Sequence, residues 1–95
     1  MFIHLAVHYP KPEYAGALLA SMLRVGEAAR GAPGLIEIGA WRDERDGRLI
    51  GLARWETQEA FQAAVGRIFA VVEDDPFDLW SQQPPDVFHL TQPQA

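Results

Sequence analysis

Three histidines, His4, His8 and His89, are the side chains whose charge changes nearest to neutral pH, and two of them stand close together at the start of the chain. His4 and His8 fall on one face of an extended segment, because alternate residues of a strand point the same way. There they can serve as a catalytic base and its orienting group, or as two nitrogen ligands of a metal, or they are hydrogen-bonded interior histidines. No third histidine or carboxylate stands at ligand spacing, so no metal site is expected. His89 joins the pair only if the first and last strands meet. Arg54 can stabilise an enolate or carboxylate if it points into a cleft, and otherwise pairs with a surface carboxylate. Trp41 and Trp80 suit either the wall of a pocket for a planar ligand or a dimer interface, and Trp55 fits a plug where strand meets helix. Glu37 reads as a solvated edge carboxylate, and the acid run Glu73-Asp74-Asp75 as a solvated helix end.

Composition narrows the chemistry further. There is no cysteine, hence no disulfide, thiolate metal site or thiol nucleophile. The net charge of -5 and a single lysine, Lys11, argue against a nucleic-acid or anionic-membrane partner, since no basic cluster exists to neutralise phosphates. Met1-Phe2-Ile3-His4 lacks the basic start of a signal peptide and no apolar run is long enough to span a bilayer, so a cytoplasmic location is expected. With 95 residues, 48% of them hydrophobic, the chain is expected to form one folded domain over 1–95.

The elements that must position these side chains follow from periodicity. Phe2 to His8 alternates, with Ile3, Leu5 and Val7 on a wholly apolar face expected to pack on helices and Phe2, His4, Ala6 and His8 on a mixed one. After Pro10 and Pro12, the set Tyr14, Leu18, Met22, Val25 and Ala29 keeps helical spacing, with Leu19 and Leu23 widening it, until Gly31-Ala32-Pro33-Gly34 closes the helix. Leu35 to Trp41 is a second strand, with Ile36, Ile38 and Ala40 on one face and Leu35, Glu37, Gly39 and Trp41 on the other. Asp43 to Gly47 is a hairpin connection into a third strand, Leu49 to Ala53, which is apolar on both faces and so needs a cover on each. Thr57 caps the next helix although Ala60 leaves the reciprocal capping box incomplete. Phe61, Ala64, Val65, Ile68 and Val72 give that helix a single stripe, and it should stop near Glu73. A segment from Asp74 to Pro85 is expected to be a lid, an interface element or partly helical. Asp86 to Thr91 is the last strand, and Thr91 to Ala95 should fray.

Strand, helix, strand, strand, helix, strand, joined by right-handed crossovers, gives a ferredoxin-like α+β fold with a four-stranded antiparallel sheet and both helices on one face. The other face is left bare. Covering about 600 Å² of apolar sheet is worth roughly 15 kcal/mol. That is comparable with the 4–15 kcal/mol cost of association, so a homodimer packed sheet to sheet is expected.

At this point the chain resembles the antibiotic biosynthesis monooxygenase-like families of the dimeric α/β-barrel group. The resemblance rests on Ala32-Pro33-Gly34-Leu35 after the first helix, on Arg54-Trp55-Glu56-Thr57 followed by Glu59-Ala60-Phe61, and on Pro84-Pro85 before the last strand. It implies the dimeric α/β barrel over 1–95 and a group of activities: cofactor-free oxygenation of quinol-like substrates, haem degradation, isomerisation of small metabolites, or none. Haem-degrading members carry a first-strand Asn, a Trp within the second helix and a His near its end. This chain has no Asn, no Trp in that helix and no His between Gly51 and Phe88. The expectation is therefore a cofactor-independent monooxygenase or isomerase acting on a small planar quinol- or enol-type molecule, with no cofactor. Its cleft would lie between sheet and dimer partner, with His4 and His8 as catalytic residues and Trp41, Arg54, Trp55, Trp80 and His89 binding the ligand. The competing expectation is a non-catalytic module that binds a small ligand or fills the cleft with side chains.

Overall fold

Phe2–His8 extends as β1, and after a 3-10 turn over Pro12–Tyr14 the chain enters α1, Ala15–Ala29, in the computed structural model, which describes residues 1–94. Then come β2 (Leu35–Arg42), β3 (Leu49–Trp55), α2 (Gln58–Ala70), a four-residue helix α3 (Phe77–Trp80) and β4 (Asp86–Thr91). The sheet has the order β2-β3-β1-β4 and every neighbouring pair is antiparallel. This is the ferredoxin-like arrangement the element order implies. The frayed tail expected at 91–95 runs into Ala95, which lies outside the described residues.

Two local devices fix the corners. The Thr57 hydroxyl accepts the Ala60 N–H at 3.1 Å and so caps α2. Gly34, at φ +84, turns the chain from α1 into β2, and its carbonyl accepts the Glu56 N–H at 2.8 Å. A Cβ on Gly34 would lie 2.6 Å from the Cβ of Ala60, so the glycine is required both by its dihedral and by the approach of α2.

The core lies between sheet and helices. Phe61, Ala64, Ile68 and Val72 of the expected α2 stripe are buried there with Phe2, Ala53 and Trp55. The stripe outlasts the regular helix: α2 ends at Ala70, and bonds from Val72 N–H to Phe69 and Glu73 N–H to Ala70 tighten the last turn. The acid run behind it is not simply solvated. Asp75 accepts from the buried Ser21 hydroxyl at 2.6 Å and is paired with Arg24, which ties the end of the α2 turn to α1. The 74–85 segment is partly helical, and the Pro10–Ser81 bridge, with Lys11 N–H to Trp80 and Gln82 N–H to Tyr9, lashes it to the exit of β1.

The face assignment of β1 is reversed relative to expectation. His4 stacks on Phe61 at 5.2 Å and approaches Phe69 at 5.7 Å, so Phe2, His4, Ala6 and His8 form the face beneath the helices. Ile3, Leu5 and Val7 lie on the other side with Ile50, Leu52, Phe88 and Leu90. In β2 a bulge between Leu35 and Glu37 absorbs one residue, which moves Leu35 to the helix side with Ile38 and Ala40 while Glu37, Gly39 and Trp41 face away.

Candidate functional site

The register of the sheet builds a floor of small residues. Ala40, Gly51, Ala6 and Val87 are successive cross-strand partners on the helix side of β2, β3, β1 and β4. Side chains this short cannot reach the helices, and a cavity of about 830 Å³ remains between the sheet and the α1–α2 layer. Met22 and Val25 of α1, and Phe61, Val65, Ile68 and Phe69 of α2, enclose it from above. This cavity is mostly apolar and large enough for a small molecule.

His4 and His8 stand on the floor on either side of Ala6, about 13 Å apart at the usual strand rise. Burial pushes the His4 imidazole below its ordinary pKa, and the neighbouring His89 and His8 push it further the same way. Burial alone does the same to His8. Both rings are therefore neutral at pH 7 and each presents a nitrogen able to accept a proton. His8 stacks on Phe77 at 6.0 Å, and its Nδ1 is buried without a hydrogen-bond partner among the described residues. An unpartnered buried nitrogen costs about 1–3 kcal/mol.

The other expected site residues divide. Trp55 is 2% exposed, closes one end of the cavity against Phe61 and leaves its Nε1 unpartnered, which fits a plug more than a ligand wall. His89 is the cross-strand partner of His4, with ring centroids 5.2 Å apart, but sits on the exposed β4 edge and supports His4 from outside the cavity. Trp41 and Arg54 are on the face away from the helices, so they cannot touch a molecule in the cavity. Arg54 donates to Glu37 at 2.5 Å, the surface pairing that was its alternative reading, and Glu37 is thereby an ion-pair partner instead of a lone edge carboxylate. Trp80 packs on Phe77 at 5.6 Å and does not reach the cavity wall. Gly51 leaves room above the floor, whereas a Cβ on Gly39 would meet the Trp41 indole on the opposite face. The cavity within this chain lies between sheet and helices, because the row of small side chains lies on the helix side and not on the face where a dimer partner was expected. Met22, Phe69 and Phe77 are among the lining residues that the sequence did not mark for a site, although the helical spacing of Met22 already turned it inward.

Among the described residues no three His, Asp or Glu side chains come together as a metal-binding group. What the arrangement offers is proton transfer in an apolar enclosure. It also makes stability pH-dependent. An unfolded histidine binds its proton below about 6.5, while His4 and His8 resist it in the fold, so the unfolded state binds more protons as pH falls. Stability is therefore full above 6.5 and declines below it, towards the lowered pKa values of the folded protein. Urea unfolding at pH 7.5 and 5.5 should show that decline, and His4→Phe should reduce it; an equal decline in the variant would remove His4 from the account.

The antibiotic biosynthesis monooxygenase family model matches residues 1–67. Among solved structures, the Mycobacterium tuberculosis protein Rv0793 is 17% identical with a TM-score of 0.84, covering 99% of this chain and 96% of its own. A conserved protein from Methanosarcina mazei Go1 is 13% identical with a TM-score of 0.84, covering 97% and 92%. A crystal structure of an antibiotic biosynthesis monooxygenase is 17% identical with a TM-score of 0.75, covering 99% and 100%. At such identities the likeness is one of fold. No functionally curated protein matches the chain.

Proposed function

The chain belongs to the antibiotic biosynthesis monooxygenase family, and from that membership we propose that it is a cofactor-independent monooxygenase acting on a small planar quinol- or enol-type molecule held in the cavity between sheet and helices. The observation that carries this reading is the His4 imidazole on the floor of a mostly apolar cavity, where burial lowers its pKa. His4 takes a proton from an activated carbon of the substrate, and the carbanion gives its electrons to oxygen to form a peroxide. The proton returns as the O–O bond breaks: a methylene and O2 become a carbonyl and water, so the substrate is the only reductant. The same proton transfer without oxygen is an isomerisation. Exclusion of water by Phe61, Val65 and Ile68 protects the carbanion.

His8, at the other end of the floor, positions the substrate through its imidazole ring. The breadth of the apolar lining also favours a second reading, a binding module in which the ligand is held and not turned over. Oxygen uptake with a panel of quinols and dienols separates the two. His4→Ala should lower turnover by about 10²–10⁴-fold, the usual worth of a general base, and His8→Ala should act mainly on KM. Unchanged turnover when both are replaced ends the catalytic assignment.

The functional unit in this reading is a homodimer. Ile3, Leu5, Val7, Ile50, Leu52, Phe88 and Leu90 make an apolar surface on the side away from the helices, and Trp41 there is 63% exposed. A second copy laid sheet to sheet covers that surface and leaves both cavities, on the helix sides, open to ligand. No helix is long and apolar enough to cross a membrane among the described residues. The reading includes a cytoplasmic location and action as one domain.

A further inference from the structure

Gly51 is the centre of the cavity floor, and the Met22 methyl Cε lies 3.4 Å from where its Cβ would be. The roof therefore comes down onto the middle of the floor here, while the flanking floor residues Ala6 and Ala40 are also too short to hold anything in place. Methionine is unbranched and turns about three bonds, so its end group can leave such a position without moving the helix. No polar atom anchors it: the thioether makes no hydrogen bond among those found in the described residues, in contrast to the buried Ser21 beside it, which is fixed by Asp75. The charged side chains at the cavity are already matched. Arg30 donates to Glu27 at 2.9 Å on the exposed side of α1, and Glu37 is held by Arg54 on the far face of the sheet. An anion or cation entering the cavity meets no free countercharge.

We propose that Met22 is the residue that selects the ligand: its methyl group must swing off Gly51 before an uncharged, flat, apolar molecule can lie on the Ala40–Gly51–Ala6 strip between His4 and His8. This rests on the reading of the cavity as the ligand site and names what that site admits. A ring placed on the strip has smooth backbone and methyl groups below it and the displaced thioether above, the arrangement in which sulfur packs favourably on an aromatic ring. Ligands narrow enough to sit beside Met22 need no such movement, so selection acts on width.

The test uses 1-naphthol as the narrow neutral probe, 1-pyrenemethanol as the wide neutral one and 1-pyrenecarboxylate as the wide anion, each titrated by fluorescence. Met22→Ala removes the obstacle and should tighten 1-pyrenemethanol by about tenfold relative to 1-naphthol, a difference of about 1.4 kcal/mol. Met22→Leu keeps the volume but is branched and stiffer, so it should weaken 1-pyrenemethanol while leaving 1-naphthol unchanged. The carboxylate should bind more weakly than the alcohol to every variant. Thermal melts establish that each variant is folded. If the variants bind both alcohols as the parent does, or if both alcohols gain equally in Met22→Ala, Met22 does not select and the proposal falls while the ligand site stands. Absence of binding by any probe to any folded variant overturns the ligand site itself, and the selection by Met22 with it.

Discussion

Gly34→Ala is expected to lower the stability of the protein by about 3 kcal/mol, which for a domain of this size is a fall in Tm of roughly 12–24 °C. Two costs add. At φ +84 any side chain is strained, a penalty of about 1–2 kcal/mol for a residue forced into the left-handed region. The new Cβ also stands 2.6 Å from that of Ala60, and overpacking of this kind costs about 1–3 kcal/mol. The backbone has little room to retreat, since the Gly34 carbonyl is bonded to Glu56 N–H at the start of the turn into α2. Thermal melts of Gly34→Ala, Ala60→Gly and the double variant separate the terms. Removing the Ala60 methyl should relieve the clash and leave the dihedral strain, a coupling of about 1 kcal/mol or more between the two sites. A loss below about 1 kcal/mol in Gly34→Ala would mean that the corner relaxes and that the approach of α2 does not fix this residue.

That corner was legible as Ala32-Pro33-Gly34-Leu35 followed downstream by Glu59-Ala60-Phe61, although only the structure pairs Gly34 with Ala60. Element order was legible for a similar reason: periods of two and of 3.6 residues, interrupted by Pro, Gly and Asp, are properties of the chain itself. The faces were not. Alternation in β1 separates Ile3, Leu5 and Val7 from His4, Ala6 and His8, and the more apolar set looks like the one that packs on helices. A strand floor under a ligand cavity inverts this expectation, because the helix-side face must carry short or polar residues where the cavity is. In β2 the bulge at Glu37 adds a second inversion that no count of alternate residues can reveal, and it carries Leu35 into the core. Arg54 and Trp41 lie away from this cavity for a related reason: their types suit a ligand, but parity along a strand does not say which face meets the helices. Asp75 looked solvated because its partners, Ser21 and Arg24, lie more than fifty positions earlier in the chain.

The same inversion makes the uncovered face of the sheet the place for the other large effect: Leu5→Glu should convert a dimer into monomers while leaving each monomer folded. Leu5 lies on the central strand β1 between Leu52 on β3 and Phe88 on β4, so its side chain is surrounded by apolar neighbours on the side away from the helices. Burying a leucine is worth about 1.5–3 kcal/mol, and placing a carboxylate in a dry interface adds several kcal/mol of desolvation. A two-fold axis doubles each change, because both copies carry it. The sum is at least about 6 kcal/mol, or more than 10⁴-fold in the dissociation constant. The helix-side core, with Phe61, Ile68 and Trp55, is not touched by the substitution, so the circular dichroism spectrum should persist. Light scattering behind size-exclusion should give the parent at twice 10.6 kDa and the variant at one chain mass. Ala17→Glu, an exposed position on α1, controls for added charge. A parent that already elutes as one chain would mean that water covers Ile3, Leu5, Leu52 and Phe88. The cavity would then belong to a monomer, walled by this chain's own sheet and helices.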